Sequence, residues 1–378
     1  MLAPFMSMIP PKTTWLDLAA LLDPAGVLSD HVDTSPDRDW LALFRLATAH
    51  LVAPSLYATL AARTQLDRIP PDVCEALAAL YQLNHQRNRR LRAVLRDTVQ
   101  LLNQAGIEPL LLKGAIALLP DQYPHAFARM LGDLDLGVAG TEAHRAAEVL
   151  RAAGFYCAPN INPANWSSDH HHLVPLFHPS GDGYVEIHQE LFVTHVPKVA
   201  LSLPMMQAST QTLDWDGLRL RIPSLEHRLL HNALHHQLQD QAFFFGRLSL
   251  RQLLEFAQLR ALPGATDLDW PGLFQRLDAA QANDAVCGYL LAAQRLFGQP
   301  LPEGVALTCA ALRAEGRFWL RLRHPRLGRG LEWLARLPRR LPNLPKRLMT
   351  PAWYPAKYRA LGEQWFPKHP GFDEDVHD

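Results

Sequence analysis

Apolar residues recur at intervals of three and four through residues 13–105, the spacing that lays one apolar stripe along a helix. "DWLALFRLATAHLVAPSLYATLAA" carries that period. "PPDVCEALAALYQLNHQRNRRLRAVLRDTVQLLNQAG" predicts one long helix, opening on Pro70-Pro71 and stopping at Gly106. Asn84 and Asn88 interrupt its stripe of Leu77, Leu80, Leu91, Leu95 and Leu102, which predicts a hydrogen-bonded or solvated seam. The texture then shortens. "IEPLLLKG" reads as a buried strand ending in Lys113-Gly114, "AIALL" as a helical continuation, 120–128 as a loop and 131–138 as a second strand. "TEAHRAAEVLRAAG" predicts a helix capped by Thr141, and further strands are expected near 155–158, 172–177, 184–191 and 218–222. Past Pro223 the helical period returns in "SLEHRLLHNALHHQLQ", in "LSLRQLLEFAQLRAL" and near 268–279 and 283–297.

This order predicts an α+β fold, with a mixed sheet flanked by N- and C-terminal helical regions. Four segments follow: a helical region (1–105), an α/β core (106–222), helices packed on that core (223–300) and a basic, proline-rich region (301–378). At 378 residues the chain exceeds the size at which one hydrophobic core stops growing. Its apolar fraction of 48% and charged fraction of 20% are those of an ordinary globular protein. A formal net charge of zero removes any global argument for nucleic acid or an anionic surface. The four cysteines are scattered, which argues against a zinc ribbon or a disulfide framework. No charged segment leads into an apolar signal-like stretch at the start, and no apolar run has the length of a membrane span, so a reducing cytoplasm is expected.

Within "ARMLGDLDLGV" two carboxylates, Asp133 and Asp135, stand one residue apart, and in a strand they share a face. Two anions that close repel, and desolvation adds to the cost, so a cation is expected between them. Carboxylate oxygens suit a hard cation such as Mg²⁺ or Mn²⁺. Glu186 in "GYVEIHQEL" alternates onto one face with Tyr184 and His188 and offers a third carboxylate if its strand lies beside the Asp strand. Lys113-Gly114 is placed where a strand end meets a helix start, a position that favours phosphate. Lys113 and Arg129 are candidates for holding triphosphate oxygens. The set fits in-line phosphoryl or nucleotidyl transfer with two cations about 3.5–4 Å apart.

The combination Lys113-Gly114, Arg129-x-x-x-Asp133-Leu-Asp135 and Glu186-x-His188 resembles the polymerase-β-like nucleotidyltransferase superfamily, and within it a group of bacterial nucleotidyltransferases with that pattern. The likeness covers about residues 70–260, including "PSLEHRLLHNALHH" and "RLSLRQLLEF". It implies a minimal nucleotidyltransferase sheet, with Asp133, Asp135 and Glu186 as catalytic metal ligands and Gly114 as the turn glycine. It also implies an NTP substrate and an acceptor hydroxyl. The turn is Gly114-Ala115 here, where that superfamily commonly has Gly-Gly or Gly-Ser, and the spacing from Gly114 to Asp133 is long. The acceptor stays open: a small metabolite, a peptide, a protein side chain or a nucleic-acid end.

Two readings compete with an enzyme of this kind. One is a non-catalytic nucleotide-binding or scaffold protein on the same fold. The other is a zinc hydrolase built on Asp169, His170, His171, His172 and His178, although adjacent histidines on a strand diverge. His172 is also placed to line the nucleotide cleft, and His188 and His235 to support the site from behind. Between Arg313 and Arg347 eleven Arg and Lys face only Glu315 and Glu332, with Trp319, Leu320, Trp333 and Leu334 among them. This mixture suits an anionic membrane surface, nucleic acid or a partner protein, or a pair of amphipathic helices packed on the core.

Overall fold

The computed structural model describes residues 12–26, 38–125, 127–158, 170–193 and 196–324, with 326–328, 330, 332 and 333. The chain divides into two compact units, residues 1–325 and 326–378. Asp169 and the basic stretch from Leu334 onward lie outside the described residues.

The first unit opens with α1 (Lys12–Leu22), α2 (Trp40–Ala49), α3 (Ala53–Ala62) and the long α4 (Pro71–Gln104). Proline suits the first turn of α4 because its missing N–H has no helical partner there. At the other end Gly106, at φ +75°, donates to Asn103, and Ile107 donates to Leu102, closing the helix with a left-handed residue.

The sheet follows: β1 (Leu110–Leu111), β2 (Leu134–Gly137), α5 (Gly140–Ala152), β3 (Leu176–Phe177), β4 (Tyr184–His188), α6 (Leu203–Ala208), β5 (Thr210–Trp215) and β6 (Leu218–Pro223). The strand order is β3-β4-β2-β1-β6-β5, with β2/β4 and β1/β6 parallel and the other pairs antiparallel. The helices α7 (Leu225–Leu234), α8 (Ala242–Phe245), α9 (Leu250–Arg260), α10 (Trp270–Ala279), α11 (Asn283–Phe297) and α12 (Cys309–Arg323) complete it. The fold is α+β, as the sequence pattern predicts.

Three local expectations need correction. The residues after Lys113 form a 3₁₀ stretch, Lys113–Leu118, rather than an α-helix. α5 begins at Gly140 with Ala139 at its cap and no side-chain bond, so Thr141 lies inside the helix instead of capping it. β5 was not anticipated. It joins β6 through Asp216 (φ +54°) and Gly217 (φ +82°), the paired left-handed turn that Asp-Gly favours in hairpins.

Two apolar cores result. Trp15, Leu43 and Leu56 from α1–α3 pack with Leu229, Phe256, Tyr289 and Leu290 from α7, α9 and α11. Leu91, Leu95 and Leu102 of α4 and Leu150 of α5 cover Leu111, Leu134, Leu136, Val185 and Ile187 of the sheet. Strand alternation therefore sends the leucines and β-branched residues of β2 and β4 into the α4/α5 core. Asp135, Glu186 and His188 are left on the opposite face.

Candidate active site

The parallel pairing of β2 and β4 sets Asp135 directly opposite Glu186, and Gly137 opposite His188. Partners in register project to the same face, so the two carboxylates are neighbours across the ladder. Single ligand atoms of Asp135, Glu186 and His188 all lie within 4.8 Å of one another. Asp133 sits just before β2, half-buried, and with Asp135 lines a cavity of about 150 Å³.

Asp135 is almost fully buried and doubly held. Lys113 Nζ donates to its Oδ1 at 2.8 Å, and His188 Nε2 donates to the same oxygen at 2.6 Å. Burial alone would raise this carboxyl, but the Lys113 charge and the His188 bond hold it well below the usual carboxylate range. Burial would lower the Lys113 ammonium, yet Asp135, with smaller contributions from Asp133 and Glu186, keeps it above its ordinary value. Lys113 adopts φ +45°, a strained backbone for a side chain with a Cβ, and this conformation delivers its ammonium to the acids. His188 is pushed down to about 4 by burial first and then by Lys113, so it serves as a neutral donor that orients Asp135.

The other two acids are crowded. Burial and the neighbouring Asp135 raise Asp133. Burial, Asp135 and Asp133 together push Glu186 up to about 8. A divalent cation fits this donor set. Asp135 and Glu186 converge with Asp133 near enough to raise Glu186, their mutual repulsion calls for positive charge, and among the described residues the side-chain bonds to the Asp135 carboxylate fall on Oδ1. His172 stands beside Glu186, with Nε2 3.5 Å from Oε2, and an isolated bridge pairs it with His188. The rings of His171, His172 and His188 lie 4.8–5.4 Å apart. Among the described residues no cluster of histidines gathers a metal-ligand set; the one group found is Asp135, Glu186 and His188.

The loop that delivers Asp133 is tied to α4 by the two asparagines that break its stripe. Asn84 Nδ2 donates to the Phe127 carbonyl at 2.6 Å, and Asn88 Nδ2 donates to those of Phe127 and Arg129 at 2.9 and 2.8 Å. They form a hydrogen-bonded seam whose partner is the loop leading to Asp133.

Arg129 is committed to a partner that sequence reasoning missed. Its Nε and Nη2 donate to Glu255 Oε2 on α9 at 3.1 and 2.8 Å, while the Tyr123 hydroxyl donates to Glu255 Oε1 at 2.7 Å. The remaining nitrogen, Nη1, lies over Gly114, where a Cβ would come within 2.1 Å of it and of Leu131 Cδ2. In this structure Gly114 leaves room for the Arg129 side chain.

The chain's family relationship agrees with this geometry. A family described as uncharacterised nucleotidyltransferase matches residues 36–298, more than half of the chain. The chain belongs to that family. No curated protein and no solved structure matches it. Membership makes this protein a transferase of nucleotidyl groups, as the resemblance implies. Within this nucleotidyltransferase, α7 and α9 close the cavity with Arg228, His231, His235, Arg251 and Glu255. His235 opens a π-helical turn, His235–Gln239, that continues α7. A buried glutamate in the amphipathic "LRQLLEF" stripe of α9 was the available signal for Glu255; nothing local marks which cation it holds.

Proposed function

We propose that this protein is a metal-dependent nucleotidyltransferase that moves an NMP group from an NTP to a hydroxyl-bearing acceptor. The observation that carries this reading is the β2/β4 register, which pairs Asp135 with Glu186 beside Asp133 on the sheet face opposite the α4/α5 core. Asp133, Asp135 and Glu186 would hold Mg²⁺ or Mn²⁺, which supplies charge neutralisation at the α-phosphate and activation of the attacking oxygen. The acceptor oxygen forms the new bond to the α-phosphorus as the bond to the bridging oxygen of the β-phosphate breaks, releasing pyrophosphate. Lys113 and His188 fix the Asp135 carboxylate so that it need not reorganise during transfer. The helices on either side of the sheet shape the acceptor pocket. Four unpaired cysteines support a reducing, cytoplasmic setting.

Transfer of label from NTPs radiolabelled at the α-phosphate, to a lysate and to the protein itself, tests the reading. Wild type is expected to label an acceptor only with Mg²⁺ or Mn²⁺ present, and Glu186→Gln to bind NTP within a few-fold yet label nothing. Equal labelling by both proteins removes Glu186 from the site. NTP binding without labelling across many acceptors favours a non-catalytic nucleotide-binding role.

A further inference from the structure

The wall of the cavity opposite the acids carries positive charge with no anion assigned to it. Arg228 on α7 is nine-tenths buried; its Nη1 and Nη2 donate to the side chain and carbonyl of Gln122 at 3.2 and 3.4 Å, and its guanidinium lies 5.3 Å from the Tyr123 ring. Arg251 on α9 donates from Nη1 to the Met130 carbonyl at 2.8 Å, three residues before Asp133. Neither forms an ion pair within 4 Å among the described residues, and the Nε of each is buried without a partner. His231, 4% exposed, lines the same cavity, and its Nε2 is likewise unpartnered.

Arg228 is buried and Arg251 partly buried, and neither has a hydrogen-bonded carboxylate among the described residues, so an anion entering the cavity meets guanidinium N–H groups not spent on an ion pair. Burial and the nearby Arg129 charge pull Arg251 below its ordinary value, against an opposing pull from Glu255, Asp133 and Asp240 that does not offset them. The two cations read from sequence as phosphate holders are already neutralised, Lys113 by Asp135 and Arg129 by Glu255. Both therefore already answer a buried carboxylate before any nucleotide arrives. Arg228 and Arg251 have N–H groups to spare, and guanidinium groups match phosphate oxygens in geometry.

We propose that Arg228 and Arg251, with the Nε2 edge of His231, form a polyphosphate subsite that receives the terminal phosphates of the nucleotide across the cavity from Asp133 and Asp135. The assignment rests on the nucleotidyl-transfer reading and deepens it: the helical region outside the sheet, not the Lys113 strand end, carries the charge of the triphosphate. His231 is held neutral by burial first and then by the Lys113 charge, so it donates or accepts one hydrogen bond and adds no charge.

Calorimetry on the full chain with Mg²⁺ compares the best-bound of the four common NTPs with its own monophosphate, alongside inorganic tripolyphosphate. In Arg251→Gln and Arg228→Gln the preference for NTP over NMP is expected to fall at least about tenfold, with NMP affinity nearly unchanged and tripolyphosphate binding lost. Arg251→Lys should recover part of the preference, because it restores the charge without the planar fork. Folding of each variant is checked by its thermal unfolding. Variants that fold and keep the full NTP preference overturn the proposal, and if they nevertheless lose tripolyphosphate, the anion belongs to the acceptor instead. If wild type binds tripolyphosphate through Arg251 but no NTP, the anion subsite stands and the nucleotidyl-transfer reading fails. If wild type binds neither, the subsite itself is refuted.

Discussion

Replacing Glu255 by leucine should unfold this protein far more readily than a surface change would, and the structure gives the size of the effect. Glu255 is 6% exposed and accepts from Arg129 twice and from Tyr123 once. In Glu255→Leu the largely buried Arg129 guanidinium loses its hydrogen-bonded counter-charge. Removing one partner of a buried pair typically costs about 3–5 kcal/mol. The orphaned Tyr123 hydroxyl belongs to that loss, at about 1–3 kcal/mol for an unsatisfied buried donor. Replacing both charges, Arg129→Met with Glu255→Leu, removes the stranded cation and leaves mainly the Tyr123 cost. The double variant should therefore be more stable than Glu255→Leu alone, with a coupling of about 2 kcal/mol or more. Urea unfolding followed by tryptophan fluorescence measures all four corners of the cycle. A coupling near zero, or a single variant that loses less than about 1 kcal/mol, refutes the claim that α9 and the loop leading to Asp133 are joined through this pair.

Other outcomes follow from the same geometry. Asp133→Asn removes a crowded anion and should leave metal-free stability unchanged or higher, whereas Asp135→Asn strands Lys113 and should cost about 3–5 kcal/mol; thermal unfolding in EDTA compares the two. Gly114→Ala drives a methyl group into Arg129 and Leu131, for which a loss of about 1–3 kcal/mol and of most transferase activity is expected; chemical denaturation and label transfer measure these. His50 is lowered to about 4 by burial, and its Nδ1 accepts from the Leu250 N–H at 3.4 Å. Between its unfolded value of about 6.5 and about 4 the unfolded chain binds the extra proton, so stability falls as pH drops through that window, by at most about 3 kcal/mol. In unfolding measured across this range, His50→Asn, which keeps an acceptor but does not titrate, should make that slope shallower by the share of His50, leaving that of His188 and the other lowered histidines.

Much of this protein is local, and local features are legible. The prolines at 70–71 and Gly106 bound α4 because a missing N–H and a left-handed residue act within a single turn. The period-2 alternation of "LDL" and "VEIH" put Asp135 with one face and Glu186 with His188, since successive side chains of a strand oppose each other whatever surrounds them. The Asp216-Gly217 turn was equally local, and β5 could have been read from it. Residue type and spacing also sufficed to point to the nucleotidyltransferase family.

Long-range partnership is another matter. That Asp135 lies opposite Glu186 depends on which strands pair and in what register, and packing of the whole sheet sets both. Arg129 and Lys113 look alike in sequence, as cations near acids. Only the folded chain gives Lys113 to Asp135 and sends Arg129 to a glutamate 126 residues away. Glu255, Arg228 and Arg251 sit in amphipathic helices where a charged residue ordinarily marks the solvated face. Here the helices turn those charges inward onto the cavity, because their leucines are already spent on the core shared with α1 and α11. Sequence therefore determined which groups were available for the chemistry, while tertiary packing decided which of them were neutralised in pairs and which were left to meet a substrate.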